Sequence, residues 1–154
     1  KNTNLSSTLR KFMNKLLLLF ILVSLPVFSE EIQEEIYQFE NLRIIKKPTS
    51  APGGVITSDF ICDKATLIQS IELRNVSDMS PEASLFLHST LTVEELIRFY
   101  ESVFLAREWR ILQKDNRDNK FVLLGERSKK VMTVLIRDEK DYRAVKIFYR
   151  RPGF

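Results

Sequence analysis

Helical periodicity is strongest at residues 92–107. There Val93, Leu96, Ile97, Tyr100, Val103 and Phe104 recur at the i, i+3, i+4, i+7 spacing of one buried face. Thr92 and Glu95 form a capping box ahead of it, each side chain satisfying a backbone N–H that the first turn leaves without a partner. Leu91 and Leu96 flank the cap at staple positions, and Glu94, Arg98, Glu101, Arg107 and Glu108 supply the wet side. Beyond this helix the apolar period changes from 3.6 to 2. Trp109-Ile111-Gln113 opens a strand, Asp115 to Asn119 reads as a turn, and Phe121 to Leu124 is the next strand. Glu126 to Lys130 is a second turn, followed by strands at Val131 to Ile136 and Ala144 to Tyr149. Upstream, Leu67 to Val76 and Ala83 to Leu87 alternate as strands around an Asp78-Met79-Ser80-Pro81 turn. The pattern predicts an α+β domain of order ββ-α-ββββ, an antiparallel sheet with one amphipathic helix packed on one face.

The N-terminal third reads differently. Leu16 to Phe28 is apolar except for Ser24 and Pro26, too short for the roughly 20 residues that cross a bilayer. A basic stretch precedes it, and Val27 and Ser29 supply small residues at the −3 and −1 positions of a cleavage site. Residues 13–29 are therefore expected to be a signal peptide starting at Met13, with residues 1–12 an upstream extension. Such a chain is exported, to the periplasm or the extracellular space, and keeps no transmembrane helix after cleavage. Residues 30–54 are expected to be a leader and linker. Ile32, Ile36 and Phe39 allow either a short amphipathic helix or a poorly ordered segment. Pro48 to Gly54, with two prolines and a double glycine, marks the boundary of a single domain at 55–154.

The helix-to-strand junction carries a resemblance. Phe99-Tyr100 inside the amphipathic helix and Trp109 at the start of the next strand resemble a motif of small secreted bacterial α+β domains of unknown function. The resemblance runs from Leu85 to Tyr149, with Glu108 where that motif has glycine. It implies an envelope-associated domain and no catalytic residues.

Composition narrows the chemistry. With 44% apolar residues, 4 Gly and 5 Pro, a disordered or collagen-like chain is excluded. The net charge of +4 comes from the four bases of residues 1–29, and residues 30–154 hold 20 bases and 20 acids. A neutral exported domain is a poor fit to nucleic acid, which favours a surplus of Lys and Arg. Cys62 is the one cysteine and His88 the one histidine, so there is no internal disulfide and no Cys/His zinc set. Lone cysteines are most often buried, the other use being an intermolecular bridge. A Cys62–His88 pair has no local signature of nucleophilic catalysis. Asp115 to Asn119 lacks the glycine and distal glutamate of a calcium loop, and Gly53-Gly54 lacks the Lys-Ser/Thr of a phosphate loop. No cofactor is expected.

The remaining signal is an internal charge asymmetry. Residues 30–106 hold 6 bases and 13 acids, whereas residues 107–154 hold 14 bases and 7 acids. Bases in the turns of a sheet protect its edges from aggregation, and they also make a rim for an anionic partner. The candidate rim is Arg127, Lys129, Lys130, Lys146 and Arg150. The leading expectation is an exported, non-enzymatic binding or assembly module of the bacterial cell envelope, meeting an envelope protein or an anionic surface. The alternative is a small secreted hydrolase with dispersed acid and base residues. A pocket with convergent carboxylates would favour the hydrolase, and a grooved sheet face with exposed aromatics would favour recognition.

Overall fold

The computed structural model describes residues 33–51, 56–73 and 82–151. Residues 1–12 and 13–29, expected to be an upstream extension and a signal peptide, lie outside the described residues, as do Gly53-Gly54 and the turn expected at 78–81. Eight strands form one sheet: β1 (Glu35–Phe39), β2 (Leu42–Lys46), β3 (Ala65–Leu73), β4 (Glu82–Ser89), β5 (Arg110–Arg117), β6 (Lys120–Arg127), β7 (Lys130–Asp138) and β8 (Arg143–Arg150). A 3-10 turn (Ser58–Phe60) precedes β3, and helix α1 (Val93–Ala106) joins β4 to β5. The spatial order is β1-β2-β3-β4-β8-β7-β6-β5, and the paired strands are antiparallel throughout.

The α+β description holds, with two more strands than the sequence pattern predicted. Residues 30–54, expected to be a leader and linker with either a helix or no fixed structure, instead carry the β1–β2 hairpin. Two links explain the difference. Glu40, at φ 30°, turns the chain back on itself, and β2 then pairs with β3 through Leu42↔Leu73 and Ile44↔Ile71. That pairing is between segments some thirty residues apart, and no local periodicity encodes it. Strands β1 and β2 thus lie in the same sheet as β3 to β8.

The helix starts as its sequence requires. Thr92 Oγ1 accepts from the Glu95 N–H at 3.2 Å, and Glu95 Oε2 accepts from the Thr92 N–H at 2.8 Å. Leu96, Tyr100 and Phe104 then point at i, i+4, i+8 into the sheet and are fully buried. They share one buried core with Ala83, Leu85 and Leu87 of β4, Phe121 and Leu123 of β6, Met132, Val134 and Ile136 of β7, and Val145, Ile147 and Tyr149 of β8. Burying each large apolar side chain in this layer contributes about 1.5–3 kcal/mol. The helix ends with Glu108 at φ 57°, the Glu108 N–H donating to Leu105 O and the Trp109 N–H donating to Phe104 O. This is a complete Schellman stop without glycine, and the Phe104–Trp109 ring contact supplies its apolar clasp.

Strand alternation sends the other half of the side chains to the second face, on which no described helix packs. There Tyr37, Ile44, Ile71, Phe148 and Leu124 lie in one cross-strand row, next to another that includes Phe86 and Leu135. Of these, Tyr37 and Phe148 are exposed, as are Phe39 and Leu73 in a neighbouring row.

Candidate functional site

Three chain segments converge at one end of the helix. The 3-10 turn contributes Phe60, with Thr57 just before it, and the helix exit contributes Arg107 and Trp109. The β6–β7 hairpin contributes Arg127, Ser128 and Lys130, and Met132 and Tyr149 complete the wall. Together they line a cavity of about 270 Å³. Its floor is apolar, because Phe60, Trp109, Met132 and Tyr149 are all buried members of the core. Its rim is cationic.

Local geometry explains how the rim is built. Ser128 and Lys129 both have positive φ, 48° and 62°, the signature of the two-residue turn whose twist matches paired strands. The turn places Arg127 opposite Lys130 as the last pair of the ladder. Both share the alternation of the helix-covered face and so project toward α1 rather than away from it. At the other side Arg107 is paired with Asp59, and Arg107 is the main cause that holds the Asp59 carboxyl below the ordinary range. Arg127 and Lys130 have no carboxylate partner among the described residues. Of three cations at the pocket, one is matched and two are open. Burial raises the Tyr149 phenol, with Arg151 opposing, so at neutral pH the pocket wall presents a neutral hydroxyl-bearing ring.

The five residues of the expected rim do not form one rim. Arg127 and Lys130 come together at the pocket, with Lys129 beside them in the turn. Lys146 and Arg150 have the opposite strand parity from Val145, Ile147 and Tyr149, and stand on the second face. There Arg150 Nε lies 3.0 Å from Glu82 Oε1, and Lys146 Nζ sits 5.4 Å from the centre of the Phe86 ring. Arg107 joins the pocket across a sequence gap of twenty residues, a contribution the turn-by-turn reading of charges did not anticipate.

The hydrolase alternative finds no convergent acids here. No Asp, Glu, His or Cys lines the pocket, and among the described residues no cluster of three or more such groups could hold a metal ion. Cys62 and His88 are kept apart. Cys62 is buried on the core side, its thiol 3.8 Å from Ser89 Oγ, and burial is the leading cause that pushes the thiol up. His88 stacks on Tyr142 with ring centres 3.9 Å apart, on the opposite sheet face. Among the described residues no helix is long and apolar enough to cross a membrane.

Comparison of the sequence with protein families and with curated proteins, and of the fold with solved structures, returned no match.

Proposed function

We propose that the chain is an exported, non-enzymatic binding or assembly module of the bacterial cell envelope, which takes an anionic group of its partner in the Arg107–Arg127–Lys130 pocket. The observation that carries this reading is the pair of unmatched cations, Arg127 and Lys130, over a buried aromatic floor. A charge-assisted hydrogen bond from an Arg or Lys to a carboxylate or phosphate contributes about 1.5–3 kcal/mol. Here the pre-formed turn removes much of the ordering entropy that such a contact costs on a mobile surface. Asp59 holds one of the three cations in place and lowers the positive charge without cancelling it. Export rests on the apolar segment with its basic start, and a pocket whose one nearby acid, Asp59, is already paired with Arg107 supports binding over hydrolysis.

The test is in-cell photocrosslinking from a probe at Ser128, with the trapped species identified by mass spectrometry. A single adduct at high yield is expected. It should be lost in the Arg127→Glu/Lys130→Glu double variant while the melting temperature stays unchanged, because both side chains lie at the pocket rim rather than in the core. Undiminished crosslinking in that variant would refute the site.

A further inference from the structure

The second face of the sheet carries a separate feature, independent of the basic pocket. A cleft of about 360 Å³ runs over β2, β3, β4 and β8, lined by Leu42, Ile71, Leu73 and Phe148 together with Ser84 and the paired Glu82 and Arg150. That volume is within the range of small-molecule sites. Phe148 at 38% exposure and Leu73 at 43% are large apolar side chains left open to solvent. The wall continues from Phe148 to Phe86 through an edge-to-face contact, ring centres 6.1 Å apart, and ends under the Lys146 ammonium. Lys146 and Leu73 are two same-face steps apart in the ladder, a run of about 13 Å along the strands.

Charge decides what fits. Around this apolar field Lys46 is matched by Glu35, Arg110 by Glu126, Arg117 by Asp115 and Arg150 by Glu82. Lys146, inside the field, has no carboxylate partner among the described residues; its contact is the Phe86 ring. A second copy of the chain would bury Lys146 against a face whose Glu35, Glu82, Asp115 and Glu126 are already paired, leaving a desolvated charge uncompensated. A bilayer surface is selected by clusters of about 4–8 free Lys or Arg, and the cations here are mostly matched. The cleft itself stops short of Lys146, and the Phe148–Phe86 ring pair carries the apolar surface on to that free cation, a sequence that matches one apolar chain ending in one anion.

We propose that this face holds a single fatty acid, its alkyl tail along the Leu42–Leu73–Phe148 cleft and its carboxylate on the Lys146 ammonium. The tail removes exposed Phe148 and Leu73 from water, and the head completes the charge of Lys146 while the Phe86 ring supports the ammonium from beneath.

Calorimetric titration of the intact protein with laurate, below its micelle concentration, tests this against lauryl alcohol and acetate, with amide chemical shifts mapping the site. Laurate is expected to bind and to shift Lys146, Phe148 and Leu73. Lauryl alcohol should bind more weakly by about ten-fold or more, the worth of a charge-assisted contact, and acetate should not bind. Lys146→Gln should remove that ten-fold advantage and leave lauryl alcohol binding unchanged, which separates loss of the head contact from any loss of fold. Equal laurate affinity in Lys146→Gln, shifts confined to the basic pocket, or no binding would overturn the proposal. So would sedimentation with anionic phosphatidylglycerol vesicles that does not depend on Lys146, or dimerisation through this face.

Discussion

At the scale of single residues, the stop of helix α1 shows a local compromise. Glu108 occupies a left-handed backbone at φ 57° although it carries a Cβ, and the two hydrogen bonds of the stop and the Phe104–Trp109 contact hold it there. A non-glycine residue in that region costs about 1–2 kcal/mol, partly offset because glycine loses more entropy on folding. Glu108→Gly is therefore expected to raise stability by about 1 kcal/mol, read as a higher denaturant midpoint with unchanged slope. A lowered midpoint would mean that the Glu108 side chain contributes something the geometry does not show. Cys62 is a second case. Behind Tyr100 and Ser89, and with its thiol held protonated by burial, it should resist a maleimide in the folded protein and react quickly once denatured.

At the scale of elements, the helix and sheet depend on one glycine. Gly125 lies mid-strand in β6, where a Cβ would stand 2.3 Å from Phe104 Cε1 and 2.6 Å from Cδ1. Phe104 is fully buried and edge-on to Phe60, so it has little room to yield. Gly125→Ala should destabilise by about 1–3 kcal/mol, the usual cost of overpacking a core. Adding Phe104→Leu should recover part of that loss, because the clash and its relief occupy one space. Strict additivity of the two substitutions would show that the close approach is not what matters. The hairpins are governed by their turns: Asp118-Asn119 and Ser128-Lys129 both adopt positive φ at two successive residues. Asp and Asn accept that geometry readily, whereas Ser and Lys hold it through the ladder around them.

At the scale of the whole molecule, the core carries groups that must stay protonated. Tyr100 is buried with its hydroxyl donating to Phe60 O at 3.3 Å, and desolvation is the first cause that raises it well above the ordinary phenol range. Cys62 is raised for the same leading reason. A raised value in the folded state adds stability below the ordinary pKa, and that stability is lost as pH climbs toward the folded value, because the unfolded chain releases its protons first. Unfolding free energy should thus fall with rising pH from the ordinary thiol value of 9.0 through the ordinary phenol value of 10.0. Denaturant melts across that window check the sign, and Tyr100→Phe should flatten the slope. A slope equal to that of the parent would place the alkaline transition on other groups. The same whole-molecule view separates the two candidate sites, one on each side of the sheet, with independent tests.

Much of the fold was legible because it is written at short range. The Thr92/Glu95 box, the Leu96-Tyr100-Phe104 stripe and the alternation along the six strands around it report period and local hydrogen bonding, which neighbours in sequence settle among themselves. The β1–β2 hairpin was not legible, since its place depends on Ile44 and Leu42 finding Ile71 and Leu73 in β3. The basic rim was legible as a set of charges and illegible as a shape. Alternation alone puts Arg127 and Lys130 on one face and Lys146 and Arg150 on the other, and only strand order and helix placement say which face is covered. Arg107 entered the pocket from a different element. Sequence by itself determined the helix with its cap, the six strands around it and the charge inventory. Tertiary structure alone decided which strands are neighbours, which face stays open and which cations remain unmatched, because these are distances between residues remote in the chain.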